Sequence, residues 1–305
     1  MIEYSDIKRV ASAAGFDLCG VTTARPLVAG EVAFREWLND GYASSLEYMH
    51  RNCEKRFDAA RLVEGARSVV VCAVRYKLLQ DKAYHAESRT KIASYACRRD
   101  YHKSVKKMLQ QMLKSLQTEY PQLQGRAFVD SEPLSEKQYA VEAGLGWIGR
   151  QSLLVTPQYG SALLLGVLLL DDEVSRYDRR YEGVGCGECR RCVDACPTNA
   201  IMESRGVDTS RCISCHTIEA ESQTELDLCG WIFGCDECQL CCPYNKNQTD
   251  SEGEVYSPEF LPSEISAEEW LAMSEEDFAL RFGSTPLKRS GLRRIQQNVI
   301  KNKGG

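Results

Sequence analysis

The stretch from Cys186 to Pro243 limits what this chain can be more than any other. It opens with Cys186-x2-Cys189-x2-Cys192-x3-Cys196-Pro197 and closes with Cys235-x2-Cys238-x3-Cys242-Pro243. Three thiolates at three-residue spacing wrap one iron–sulfide cube, and a fourth, followed by Pro, reaches a neighbouring cube. Two such runs predict two [4Fe–4S] clusters and eight thiolate ligands. The second run is irregular. A standard copy would place its third ligand at Cys241, yet Cys241 is followed directly by Cys242-Pro243. Cys242 is then the crossing ligand, and one ligand of the second cluster must come from elsewhere. Cys212, in Arg211-Cys212-Ile213, is the best candidate. The expected sets are Cys186, Cys189, Cys192 and Cys242 for one cluster, and Cys196, Cys212, Cys235 and Cys238 for the other.

Two blander readings compete. Cys-x2-Cys pairs also hold zinc, but zinc sites rarely use the Cys-x3-Cys-Pro ending. A disulfide framework fits poorly, because fifteen cysteines is an odd number. The N-terminal Met1-Ile2-Glu3-Tyr4-Ser5-Asp6 reads as neither a secretory signal nor a twin-arginine leader. Reduced thiols therefore predict a cytoplasmic protein. The longest apolar run, Ala162 to Leu170, has nine residues and is too short to span a bilayer as a helix. Cys19, Cys53, Cys72, Cys97 and Cys229 are expected as small buried hydrophobes. Cys215 and Cys241 are spare thiols near the clusters.

The net charge of −5 announces no global attraction to nucleic acid, but the charge is uneven. Residues 250–280 carry ten acidic and no basic side chains, and residues 287–305 carry six basic and no acidic ones. Arg89 to Lys107 is a second basic stretch, broken only by Asp100. Such blocks are polyanion footprints or solvated helix faces, and charge alone leaves both open.

The first 178 residues alternate helical and strand-like patterns. Helices are expected over residues 5–14, with Ser5 as cap, over 32–40 and 45–51, and around Val105 to Leu116. Unbroken apolar runs at Arg67 to Tyr76 and Leu163 to Leu170 read as buried strands. A strand at Gly125 to Val129 delivers Asp130 at its end, and Pro133 opens a helix running to Ala143. Gly144-Leu145-Gly146-Trp147-Ile148-Gly149 is a backbone that can approach a ligand closely. The class is α+β or α/β. Three parts are expected: an α/β domain at 1–178, a bacterial ferredoxin-like two-cluster domain at 179–250, and a short helical, basic C-terminus at 251–305.

Several strings make the reading more specific. Asp100-Tyr101-His102, Asp130-Ser131-x-Pro133-x2-Glu136-Lys137, Ala143 to Gly149, Cys212-Ile213-Ser214, Thr217-Ile218-Glu219 and Gly234-Cys235-Asp236-x-Cys238-Gln239 resemble the epoxyqueuosine reductases. The likeness runs from about residue 1 to residue 300 and includes the basic segment Lys288 to Asn302. It implies a cobalamin-binding half similar in fold to reductive dehalogenases. It implies two [4Fe–4S] clusters and cob(II)alamin, and removal of the epoxide oxygen from epoxyqueuosine at the wobble position of tRNA. With that resemblance goes the expectation of a monomer whose clusters are fed by an external donor such as flavodoxin, ferredoxin or its reductase. The chain ends soon after Asn302, where many members of that family continue into helical repeats that add tRNA contact. Arg150-Gln151 stands where the family usually has Lys-Asn, and Cys215 where it has an aromatic residue.

Removing an epoxide oxygen as water takes two electrons and two protons, and side chains cannot supply electrons. The resemblance puts Asp130 at the position of the acid, with a pKa expected to rise through burial. It puts Tyr101, His102, Arg56, Gly149, Gln151 and Asp236, with Asp130 itself, at cofactor-contacting positions. A reductive dehalogenase and a plain electron-transfer protein are the alternatives. The first is typically exported behind a twin-arginine leader, and the second leaves Asp130 and the glycine loop unexplained.

Overall fold

A computed structural model describes residues 1–79, 90–203, 206–220, 225–246 and 257–303. Arg89 and the acidic residues 250–256 singled out above lie outside the described residues. Four strands form the central sheet: β1 (Leu18–Thr23), β2 (Ser68–Arg75), β4 (Gly125–Phe128) and β7 (Leu163–Leu170). Their order is β1-β2-β7-β4, and every pairing in it is antiparallel. Of the two classes open to the sequence, the sheet is therefore α+β. The apolar runs at β2 and β7 take its two central places, as burial on both faces requires. Between β4 and β7 the glycine-rich stretch contributes β5 (Trp147–Ile148), which pairs antiparallel with β6 (Leu154–Val155).

The period of two in the central strands splits the interior. Val70, Cys72, Val74, Leu168 and Leu170 point to one face, beneath helices α1 (Tyr4–Ala13) and α5 (Tyr101–Glu119). Val69, Val71, Val167 and Leu169 point to the other, with Phe57, Tyr139 and Ala140. Helix α6 (Glu136–Glu142) covers that second face, beside α2 (Val28–Asn39) and the single turns α3 (Cys53–Arg56) and α4 (Ala59–Leu62). Burying each such Val or Leu contributes about 1.5–3 kcal/mol relative to exposure.

Several boundaries differ from the sequence reading. Helix α1 begins at Tyr4 with no side-chain cap, so Ser5 lies inside it. Residues 53–56, for which the sequence suggested no element, form the turn α3. Residues 45–51 contain only a 3-10 turn at Glu47–His50. Pro133 does not open α6, which starts three residues later behind Ser135. Strand β3 (Lys91–Ile92) pairs in parallel with Trp231–Phe233, more than a hundred residues away.

That pairing anchors a second core. Ile92, Cys97, Trp231, Ile232 and Phe233 pack with Trp270, Phe282, Ile295 and Val299. The last helix, Gly291–Lys303, is pinned to this strand by two buried amides. Asn298 Nδ2 donates to the carbonyls of Thr217 and Ile232, and Asn302 Nδ2 to that of Trp231. Cys53, Cys72 and Cys97 are buried as expected, whereas Cys19 and Cys229 are only half-buried. Among the described residues, no helix is long and apolar enough to cross a membrane.

Candidate functional site

Asp130 sits two residues past β4 in a left-handed conformation, φ +50°. Such a backbone is costly for a residue with a Cβ, and the surroundings hold it. Its N–H donates to Glu136 Oε1 at 2.8 Å. Its Oδ2 accepts from the Tyr101 hydroxyl at 2.7 Å, and His102 Nε2 lies 3.6 Å from the same oxygen. Tyr101 and His102 open helix α5, which Asp100 caps by accepting from the His102 N–H at 3.1 Å. The same Asp100 oxygen lies 2.6 Å from His102 Nδ1. One helix N-terminus and one strand end thus assemble Asp100, Tyr101, His102 and Asp130.

The electrostatics of this group differ from the expectation of a neutral Asp130. Burial raises its pKa, but hydrogen bonds from His102 and Tyr101 more than offset it and hold the carboxyl below the usual range. The proton rests on the imidazole instead. Asp100 first, then Asp130, pushes the His102 pKa up to about 9. Burial, with the charge of Asp130 nearby, pushes Glu136 up to about 8.

Three cavities converge here. The first, about 980 Å³, is walled by Tyr101, His102, Asp130 and Cys215, with Lys288 and Arg289 also lining it. The second, about 880 Å³, is walled by Phe34, Trp37, Tyr48, Arg56, Asp130 and Gln151. Both share Asp130 and the Glu219–Arg289 ion pair, whose closest N···O distance is 2.8 Å. The third, about 340 Å³, is lined by Cys196, Cys212, Cys235 and Cys238, together with Tyr101, Gln151 and Asp236. Asp236 is buried and accepts from the N–H and hydroxyl of Ser94, at 2.7 and 2.6 Å.

Among the described residues, two buried donors on these walls have no partner: Arg56 Nε and Gln151 Nε2. An unpaired buried donor costs about 1–3 kcal/mol, so each marks a place where a polar ligand group fits. The glycine loop behaves differently from its sequence reading. A Cβ at Gly146 would lie 2.0 Å from the Val155 carbonyl, and one at Gly149 would lie 2.2 Å from Gln151 Oε1. These glycines let the loop pack against its own chain, and Gly149 stands behind Gln151.

The remaining thiols form a separate group. Cys192 is within electrostatic reach of Cys186, Cys189 and Cys242, and Cys241 lies beside them. Two sulfurs already accept hydrogen bonds: Cys186 from Trp147 Nε1 at 3.3 Å, and Cys196 from the Ala200 N–H at 3.2 Å. Such bonds tune the potential of a bound cluster.

The family model for epoxyqueuosine reductase QueG, DUF1730, matches residues 56–131, and the model for a 4Fe-4S double cluster binding domain matches residues 185–245. An epoxyqueuosine reductase of Cyclobacterium marinum is 39% identical over 302 residues, covering 97% of this chain and 96% of that protein. The chain belongs to the epoxyqueuosine reductase family. Solved structures of epoxyqueuosine reductases agree in fold. One from Streptococcus thermophilus has a TM-score of 0.85 at 28% identity, covering 98% of this chain and 80% of that one. Another, with an epoxyqueuosine-modified tRNA-Tyr stem loop, has a TM-score of 0.88 at 26% identity, with the same coverage of 98% and 80%.

Within this family member the cavity walls bring together Tyr101, His102, Asp130, Arg56, Gln151 and Asp236, all singled out from sequence. Sequence reasoning missed the parts played by Asp100, Trp147 and the Glu219–Arg289 pair. Trp147 and the Glu219–Arg289 pair depend on contacts between distant segments, for which no spacing rule gives a signal. Asp100 acts locally, and an Asp just ahead of an amphipathic helix is the capping signal that could have found it. Arg98, placed by sequence in a basic surface, is buried and donates to the carbonyls of Ser94 and Lys77.

Proposed function

We propose that this chain reduces epoxyqueuosine to queuosine at the wobble position of tRNA, using cobalamin and two [4Fe–4S] clusters. The observation that carries the reading is the convergence on Asp130 of two large cavities, beside a third lined by four thiols, in a member of this family. Cys196, Cys212, Cys235 and Cys238 hold the cluster nearer the site, and Cys186, Cys189, Cys192 and Cys242 hold the outer one. Arg56, Gln151, Tyr101 and Asp236 would hold the corrin, which when bound would supply the reducing chemistry.

The chain's own residues then manage protons and position. Asp130 delivers a proton where the epoxide oxygen becomes an alkoxide. Tyr101 stays protonated, because burial and the charge of Asp130 raise its pKa, and it holds the receiving oxygen in place. Lys103, Lys107, Lys288 and Arg289 around the first cavity bring positive charge to the approaching phosphates of the anticodon loop. Residues 1–178 carry substrate and corrin, 179–250 the clusters, and 251–305 the basic tail. The same reading assigns a flavodoxin- or ferredoxin-type donor, a monomer and a cytoplasmic setting.

The test is turnover on epoxyqueuosine-containing tRNA after anaerobic reconstitution with iron, sulfide and cobalamin. Asp130→Asn should keep the iron content, the cobalamin spectrum and tRNA affinity, and lose on the order of 10²–10⁴ in rate. Wild-type rates in that variant across the pH range would remove Asp130 from the role.

A further inference from the structure

The proton donor sits beside a second titratable group with no part in the steps given so far. Asp100, His102 and Asp130 form a line: Asp100 Oδ1 is 2.6 Å from Nδ1, and Nε2 is 3.6 Å from Asp130 Oδ2. Tyr101 stacks on the imidazole, with ring centroids 4.1 Å apart, and donates to that same Asp130 oxygen. His102 and Asp130 both line the large cavity. We propose that His102, oriented by Asp100, is the proton store for this site and recharges Asp130 at each turnover.

This rests on the reading of function above and completes its proton account. The N–H bond of the imidazolium at Nε2 breaks, and an O–H bond forms at Asp130 Oδ2. That proton then passes to the alkoxide oxygen, neutral His102 regains one from water, and a second pass of the same relay supplies the second proton with which the oxygen leaves as water. No electron moves in these steps; the two electrons of deoxygenation come from the clusters. Asp130 is held ionised at rest, so it cannot store the proton itself. A relay lets a weakly basic carboxylate act as a donor, because its proton is replaced from a group that is fully protonated at neutral pH.

The charges facing His102 come from several elements. Asp100 and Lys103 lie at the start of α5, Asp130 follows β4, Glu136 lies on α6, and Arg289 acts on Asp130 from the turn before the last helix. Asp100 is the partner to change. Asn caps a helix about as well as Asp, so Asp100→Asn keeps α5 and removes only the charge.

The experiment pairs two readouts on the reconstituted full chain. One is the pH dependence of single-turnover reduction of a modified tRNA stem loop. The other is the ring titration of ¹³C-labelled histidine by NMR, with His102→Gln to assign the signal. His102 should titrate near 9 in the wild type, and turnover should fall along a limb at the same pH. Asp100→Asn should move both downward together by about one unit or more. His102→Gln should slow turnover at least about tenfold and abolish the limb. An ordinary His102 titration near 6.5, or a limb that ignores Asp100→Asn while the ring signal moves, overturns the relay and leaves the function standing. If the wild type never turns over while His102 titrates near 9, the reading of function fails and the relay falls with it.

Discussion

Glu136 shows how one residue ties backbone geometry to proton balance. Its carboxyl accepts the N–H of Asp130 and so helps hold the left-handed turn that aims Asp130 at Tyr101 and His102. Burial pushes its pKa from the ordinary 4.5 up to about 8. A raised pKa means the folded state prefers the neutral acid. Its stabilising contribution is complete below about pH 4.5 and is lost as pH climbs through 8. Gln can accept the same N–H without ionising. Glu136→Gln should therefore gain thermal stability relative to the wild type as pH rises from about 5 to about 9, read as the difference in Tm. A difference that stays flat with pH would show that Glu136 titrates normally. Asp130 was legible as a polar residue at a strand end, but its charge state was not, because that depends on two side chains from another helix.

Among the elements, the thiol loops and the last helix carry the sharpest expectations. Cys212 lies outside both cysteine runs in sequence, yet it shares a cavity wall with Cys196, Cys235 and Cys238, whereas Cys241 sits beside Cys192 and Cys242. Cys212→Ala should lower the bound iron towards one cluster per chain, and Cys241→Ala should leave two. The reverse pattern would exchange their roles. The last helix is held by Asn298, whose amide serves two buried carbonyls. Asn298→Ala leaves both without that donor, at about 1–3 kcal/mol for each unsatisfied group. Its Tm should drop by several degrees at unchanged iron content, and an unchanged Tm would show that water replaces the amide.

At the scale of the whole molecule, the question is how a chain of net charge −5 approaches a polyanion. Screening confines attraction to about 8–10 Å at ordinary ionic strength, so a local positive face is needed. Part of the basic charge is already neutralised: Arg289 pairs with Glu219, Arg99 with Glu259 and Lys303 with Glu268. No ion pair is seen for Lys288, Arg293 or Arg294 among the described residues. Replacing Arg293 and Arg294 with Ala should weaken tRNA binding and flatten its salt dependence by roughly one unit for each phosphate no longer neutralised. Reduced thermal stability with unchanged affinity would mark these residues as structural only.

The cysteine spacing by itself determined the iron–sulfur chemistry, because ligand geometry is written in short sequence intervals. The apolar runs of β2 and β7 likewise marked the centre of the sheet, since only burial on both faces tolerates them. Motif strings in order were enough to suggest the family. Tertiary structure alone decided the antiparallel order of the sheet, the parallel pairing of Lys91–Ile92 with Trp231–Phe233, and the burial of Arg98. It also decided the surroundings that raise the His102 pKa and lower that of Asp130. A pKa is set by the few ångströms around a group, and here those ångströms are filled by residues that only folding brings together.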